Sequence, residues 1–353
     1  MSIYIQSAYG VTPQPLYDGG ELLPVIQNKT GNRLACVEPN YADYVDAKLI
    51  RRMSRIIKMG VAAAMQCLKD AELQMPDAIV TGTAYGCLQD TEVFLNRLVE
   101  FKEELLTPTA FIQSTHNTVS AQIALMLQCH NYNNTYVHRG FSFESALLDA
   151  MMMLNEKEIN NALVGAADEI IETSHKILSR FGLYKNENAT TDTLYKQPTK
   201  GTIAGEGAVF FTLNAEHSAK DLAKLDAVTT FYKPADDSEI KEQISAFLAG
   251  QTLDIEDIDL IITGKNGDAK NDAVYDALNN TLFTGNQGIN YKHLCGEYPT
   301  ASAYALWLGA SIIKEGSLPA SLTEAPTSKP IRRLLIYNHY QNTHHALYLL
   351  SAC

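Results

Sequence analysis

The sequence predicts an α/β fold in which a largely parallel sheet is covered by helices on its faces, and three observations predict it. Short apolar runs rich in β-branched residues recur along the 353 residues. Amphipathic segments of helical length lie between those runs, and the last two runs follow one another across a short connection. The composition, 46% hydrophobic and 19% charged, is that of a chain able to bury a large core. Length alone leaves open two ordinary domains or one composite unit.

Buried strands are expected at Ile3 to Ile5, Ala78 to Thr81, Tyr136 to His138, Ala162 to Gly165, Val209 to Leu213, Leu260 to Thr263, Leu334 to Tyr337 and Ala346 to Leu350. The clearest helix runs from Arg51 to Leu73, where Ile56, Met59, Val61, Ala64 and Leu68 fall near one face. Further helices are expected at Val119 to Cys129, Ser145 to Asn155, Asp236 to Leu248, Asp272 to Leu282 and Ala301 to Lys314. The short link between the last two runs makes them a closing antiparallel pair. Lys185 to Lys200 and Asn214 to Lys220 have the polar composition of surface loops, and the second separates two stretches of similar α/β rhythm. No short-period repeat is present, which excludes a solenoid.

A formal net charge of -12 argues against nonspecific nucleic-acid binding, which needs clustered cations to displace counterions. One basic run, Lys48, Arg51, Arg52, Arg55 and Lys58, reads either as a solvated helix face or as a dock for an acidic carrier protein. The six cysteines are scattered, with no spacing that holds a metal, and are expected to be reduced thiols of a cytoplasmic protein. The opening MSIYIQSAYG reads as a strand and turn, and no apolar run approaches the roughly 18 residues a membrane span needs. A soluble chain without membrane insertion is therefore expected.

Several stretches carry more than composition: RRMSRIIKMGVAAAMQCL, IVTGTAYGCLQDTE, FIQSTHNTVSAQIALML with Asn117, TYVHRGFSFESALLDAMMMLNEKEINNALVGAADE, and GTIAGEGAVFFTL with Gly205 to Ala208. In this order and at these spacings they resemble the β-ketoacyl-acyl-carrier-protein synthase family. The resemblance implies a thiolase-like fold of two similar α/β halves, 1-214 and 221-353, in an αβαβα layered arrangement. It also implies a large dimer interface beside the nucleophile strand.

In that family a cysteine stands where strand breaks into helix, so that the helix dipole and backbone N–H groups favour the thiolate and bind the thioester oxyanion. Counting back from Gly165 and Asp168, the matching position here is Gly140, which has no side chain to acylate. The first family histidine falls at Gly264 in TGKNGDAKND, where Asn271 and Asp272 keep the downstream pair. The second falls at Glu297, with Lys292 and Gly296 retained. The glycine-rich loop that completes the family's oxyanion hole is replaced by HYQNTHH, His339 to His345. Decarboxylative condensation needs a covalent acyl carrier and donors for the developing enolate, and these groups act as a unit.

Rival roles exist for the remaining polar residues. Ser142 in GFSFE resembles a nucleophile elbow that His138 or another histidine brought near in space would activate, or it is a helix-start cap. His138 and Arg139, at the end of a strand expected to be buried, either bind an anion in a vestigial pocket or are satisfied by Glu144, Glu297 or Asp168. His116 reads as a hydrogen-bonded core histidine, with a base as the alternative. Lys265, Asn266 and Asp268 line a polar pocket or form an ordinary turn. The pair His344 and His345 lacks further ligands at metal spacing, and neither a metal nor a cofactor is expected.

Within the family the resemblance implies a chain-length-factor-like subunit, a partner that lost the cysteine and pairs with an active synthase to shape its acyl tunnel. It departs from the usual pattern in carrying glycine where glutamine is common. Its implied partners are a ketoacyl synthase subunit and an acyl carrier protein, in fatty-acid, polyketide or aryl-polyene type biosynthesis. The alternatives are an acyltransferase or thioester hydrolase using Ser142 or a water held by His138, Arg139 and Glu297, and a homodimeric acyl-ligand binding protein. A thiol such as Cys87 or Cys295 at the strand-to-helix corner, with an imidazole beside it, would contradict the alignment.

Overall fold

The computed structural model describes residues 2–104, 106–196, 198–323 and 329–353. Among them the strands are β1 Ile3–Val11, β2 Tyr17–Asp18, β3 Glu21–Leu22, β4 Ala78–Gly82, β5 Tyr132–Tyr136, β6 Asn161–Asp168, β7 Gly207–Asn214, β8 Ala223–Tyr232, β9 Leu260–Thr263, β10 Gln287–Asn290, β11 Arg333–Tyr340 and β12 His344–Ser351. The helices are α1 Ala47–Ile50, α2 Arg55–Asp70, α3 Leu88–Glu100, α4 Pro108–Gln113, α5 Thr118–Leu127, α6 Ser142–Asn155, α7 Glu172–Arg180, α8 Asp237–Ala249, α9 Ala269–Asn279, α10 Lys292–Cys295 and α11 Ser302–Glu315.

All strands but β2 and β3 join one sheet in the order β10-β9-β11-β12-β8-β1-β7-β6-β4-β5. In it β5, β4 and β6 run parallel, and β7 and β1 follow antiparallel. The other side repeats this: β10, β9 and β11 are parallel, and β12 and β8 follow antiparallel. The two sets meet only where Ile3 to Ile5 pairs with Ala223 to Leu225. This is a thiolase-like α/β architecture with the helices arranged as the sequence resemblance implies.

Strand alternation explains the layers. Ile79, Leu163 and Phe210 face outward into a core with α2 and α5, while their neighbours Ala78, Val80, Val164 and Phe211 face inward onto α6 and α11. On the second set, Ile261, Leu335 and Leu347 pack under α8 and α9, and Leu260, Ile262 and Leu334 turn to the same central helices. Covered on both sides, these strands read as continuous apolar runs. Helix α11 is buried from Ser302 to Ile313, so it carries apolar residues around its whole circumference.

The structure differs from the sequence expectation at identifiable places. The strand expected at Tyr136 to His138 lies instead at Tyr132–Tyr136 and forms the sheet's edge. An edge strand has one unpaired side, so YNNTY shows none of the apolar continuity of a central strand. Strand β8 was not expected, because its charged Lys224 and Asp226 interrupt the pattern; the two pair with each other at 2.7 Å. Helices α3 and α7 bury none of their residues and so give no core stripe to read. Within the expected loop from Lys185 to Lys200, residue 197 lies outside the described residues.

One ion pair ties the first set of strands to its outer helix. Arg55, the first residue of α2, donates to both Glu206 oxygens at 2.7 and 2.6 Å, and Glu206 is fully buried. The same carboxylate accepts the backbone N–H groups of Cys36 at 3.0 Å and Ile170 at 3.1 Å. Arg55 is thus turned inward and does not belong to the exposed basic run of Lys48, Arg51 and Arg52. Arg55→Met leaves the buried charge without its cation and is expected to cost about 3 kcal/mol, the lower end for breaking a buried pair because Arg55 is partly solvated. Adding Glu206→Gln, which keeps the hydrogen-bond acceptor but removes the charge, should recover part of that loss; equilibrium denaturation of both variants checks it.

Candidate functional site

Strand β5 ends at Tyr136, and the chain then crosses the exposed residues Val137, His138 and Arg139 before α6 begins. His138 and Arg139 are therefore on the surface and not at the end of a buried strand, and none of the three suggested carboxylates holds them. Arg139 has φ +50°, a left-handed conformation uncommon outside glycine and asparagine, at the bend into the 3-10 turn Arg139–Phe141. The next residue, Gly140, is buried.

What surrounds Gly140 decides what this corner can hold. A Cβ placed there would lie 2.8 Å from Tyr340 Cβ and 3.0 Å from His344 Cβ. Those two residues flank the turn of the β11–β12 hairpin, whose Gln341 and Asn342 both take left-handed backbone, at φ +54° and +48°. The His344 ring stands edge-on to Phe141 at 4.7 Å and to Tyr232 at 5.1 Å. The corner is closed by side chains packed directly on the glycine.

Ser142 is fully buried, and its hydroxyl is committed locally: Oγ accepts the His138 backbone N–H at 2.8 Å and donates to the Arg139 carbonyl at 2.8 Å. The side chain fastens the turn that precedes α6 and does not cap the helix as expected, since it accepts no helix N–H and the N-cap position is Phe141. Glu144, two residues on, is fully buried and accepts hydroxyl hydrogen bonds from Ser302 and Tyr348, both at 2.6 Å, on one oxygen. Its other oxygen has no partner, and burial pushes its carboxyl above the usual range.

The two positions aligned with the family histidines are also structurally occupied. A Cβ at Gly264 would lie 2.2 Å from the Asn338 side-chain oxygen and 2.7 Å from the Tyr275 hydroxyl. Glu297 accepts from buried Lys292 Nζ at 2.7 Å and from Asn266 Nδ2 at 2.6 Å. Lys265 turns away to Asp276. Thus Asn266, Lys292 and Glu297 are brought together, whereas His116 and Asn117 are exposed, contrary to the core placement expected for His116. Cys87 and Cys295 are buried, with burial pushing both thiols up, and no hydrogen bond joins either to an imidazole.

Beside these residues lies a cleft of about 150 Å³ that the sequence did not disclose. Four tyrosines wall it, Tyr85, Tyr184, Tyr298 and Tyr340, together with Asp168, Glu169 and Gly205. Asp168 accepts from Thr83 Oγ1 at 2.9 Å and Thr300 Oγ1 at 2.7 Å, so it braces the cleft and does not face a ligand. Burial lifts Glu169 to about 7. The tyrosines come from three separate connecting segments and the end of β11, and no local spacing would have grouped them.

Comparison with known proteins shows what this chain is similar to. Residues 30–189 match the family of the β-ketoacyl synthase N-terminal domain. The 3-oxoacyl-acyl-carrier-protein synthase 2 of Staphylococcus aureus is 20% identical over 192 residues, which are 51% of this chain and 46% of that protein. The matched stretch spans just under half the length of these curated relatives. Among solved structures, the ishigamide ketosynthase/chain length factor superposes with a TM-score of 0.81 at 17% identity, covering 100% of this chain and 99% of that one. A ketosynthase in complex with its chain length factor from Xenorhabdus doucetiae gives 0.75 at 16% identity, covering 100% and 98%. The fold is that of these ketosynthases, and residues 30–189 are similar to the β-ketoacyl synthase N-terminal domain.

With this fold, the corner at Gly140 is the informative place. Gly140→Cys puts a Cβ within 3.0 Å of two packed residues, and overpacking of this kind is expected to cost about 1–3 kcal/mol. The variant should be less stable by denaturation and should gain no acyl adduct from acyl thioesters by intact mass.

The hairpin that covers the corner also carries two buried imidazoles. His339 Nε2 donates to the Asn271 carbonyl at 2.9 Å while its Nδ1 accepts the Asn342 N–H at 3.1 Å. His345 Nδ1 pairs with the Tyr337 hydroxyl at 2.9 Å, and its Nε2 has no partner. Burial lowers both, His345 to about 4. Unfolded histidine titrates near 6.5, so between about pH 6.5 and 4 the unfolded chain binds more protons than the folded one. Stability is therefore full above that window and falls as the pH drops through it. His345→Gln should be less stable at pH 8 yet lose less on acidification from pH 7 to 4, as read from urea midpoints.

Proposed function

We propose that this chain is a chain-length-factor-like subunit that pairs with an active ketosynthase and does not itself condense acyl groups. The observation that carries the reading is the closed corner: Gly140 has no nucleophile, and Tyr340 and His344 occupy the space one would need. Lys292 and Asn266 are bound to Glu297, so no imidazole donor points at the corner from that side. The surviving rival nucleophile, Ser142, has its hydroxyl engaged in both directions, which disfavours an acyltransferase or hydrolase.

The sheet edge that leads into this corner supports a partner. Strand β5 is a bare edge, and exposed apolar residues flank it: Leu125 on α5, Tyr132 on the strand itself, Val137 after it and Met152 on α6. Leu125 is 71% and Met152 60% exposed, a costly arrangement that pairing with a second sheet edge would relieve. Two structural relatives are ketosynthases solved with a chain length factor or an acyl-carrier protein, which fits such a heterodimer and a carrier-protein substrate.

Co-expression with a cysteine-bearing ketosynthase of the same genome should give a one-to-one complex in native mass spectrometry. Leu125→Asp with Met152→Asp should abolish it while circular dichroism of the variant stays unchanged. The chain alone, incubated with acyl-carrier and CoA thioesters, should show no covalent adduct. A Ser142-dependent adduct would establish the enzyme reading, and a homodimer that ignores the synthase would establish the binding-protein reading; either result overturns the proposal.

A further inference from the structure

The connector between β7 and β8 and the residue just past β12 converge at a point far along the chain from one another. There one ring nitrogen of His217, one carboxylate oxygen of Asp221 and the sulfur of Cys353 lie within 4.8 Å of each other. The connector is rigidly held. Asp221 Oδ2 accepts the Ser218 N–H at 2.7 Å and faces His217 Nδ1 at 2.8 Å. Lys314 Nζ donates to the carbonyls of Ala219 at 3.3 Å and Asp221 at 2.9 Å. The His217 ring packs against Tyr4 with centroids 5.1 Å apart, and Ala352 N–H is anchored on the Arg332 carbonyl at 2.8 Å.

A second, independent observation points to a ligand. Asp221 is only 3% exposed, yet its Oδ1 has no hydrogen-bond partner. A buried carboxylate oxygen without a partner is costly, and the neighbouring cations do not answer it. Lys314 is turned to carbonyl oxygens, and Lys224 is paired with Asp226 at 2.7 Å. A divalent ion among the three side chains supplies what the oxygen lacks.

We propose that His217, Asp221 and Cys353 form a binding site for a borderline-soft divalent transition metal, with zinc the ion that best fits the donors. Imidazole, carboxylate and thiolate are the three ligand types zinc takes, and three protein ligands leave a fourth tetrahedral position for water. Ligand bonds of about 2.0–2.3 Å draw the donor atoms slightly closer than they stand, a small rotation for the solvent-exposed His217 and Cys353. An ordinary thiol carries its proton near neutral pH, and a metal takes the sulfur as thiolate. Binding therefore releases that proton, the sulfur taking the metal in its place, and should weaken as the pH falls. The ion joins the connector to the end of β12, which would stabilise the seam between the two sets of strands. His217 and Asp221 are four residues apart in one loop, whereas nothing in the spacing points to Cys353.

The full chain, stripped with chelator and kept reduced, should take up one equivalent of Zn²⁺ in competition with a chromophoric chelator. Co²⁺ in its place should give a thiolate charge-transfer band. Cys353→Ser should remove that band, and Cys353→Ser and His217→Ala should each weaken Zn²⁺ by on the order of 10-fold or more. Zn²⁺ should raise the melting temperature of the unsubstituted chain and not that of Cys353→Ser. Both substitutions are at exposed residues, so the fold is not at risk. Failure to bind one equivalent, or binding that both variants leave unchanged, would reduce the cluster to an ordinary His217–Asp221 ion pair and overturn the proposal. Neither outcome bears on the partner-subunit reading.

Discussion

The packing of the C-terminal hairpin on Gly140 is the constraint from which the rest of the site follows. Once Tyr340 and His344 sit on that glycine, any side chain at the strand-to-helix corner must displace a hairpin whose far side is itself stacked. His339 lies parallel to Tyr275 at 4.7 Å, and His345 lies over Phe231 at 4.9 Å. Aromatic and imidazole rings packed on both faces of a strand pair resist small shifts, because a close-packed interior transmits strain. The hairpin therefore behaves as a fixed wall, the opposite of the glycine-rich loop that the resemblance associates with this segment.

The neighbouring polar groups follow the same logic. A site that moves protons keeps donors unpaired or loosely paired until the transition state needs them. Here Glu297 holds Lys292 and Asn266 at hydrogen-bond distance in a buried network, and Asn338 and the Tyr275 hydroxyl crowd Gly264. Removing one member of such a network exposes the others to the full cost of burial. The polar residues in this region are thus committed to one another and to holding the layers in register.

How much of this was legible in the sequence depends on how local each signal is. The central strands were read to within a few residues because their apolar continuity is a local property; Leu260–Thr263 was read to its ends. Strand β5 was displaced because its edge position strips it of that continuity, and α3 and α7 were passed over because they bury nothing. The matching of Gly140, Gly264 and Glu297 to the family positions rests on order and spacing, which run along the chain. The tyrosine-walled cleft, the closure by Tyr340, and the meeting of His217 with Cys353 were not found, because each depends on residues brought together only by the folded sheet. Misplacing the strand also misplaced His138 and Arg139, whose exposure follows from where β5 actually ends.

Closure at the corner and openness at the sheet edge are connected. The strand that leads into the corner is β5, and β5 is the edge left bare. The corner's turn therefore sits directly behind any partner that pairs with that edge. Ser142 fastens the turn to His138 and Arg139, while α6 behind it is pinned through buried Glu144 to Ser302 of α11 and Tyr348 of β12. Force applied at the edge is carried into the central layer through hydrogen bonds and packed rings, with no mobile loop between. On the proposed reading this gives the partner a rigid surface against which to shape its own cavity, and rigidity is what a subunit without a reaction of its own can supply.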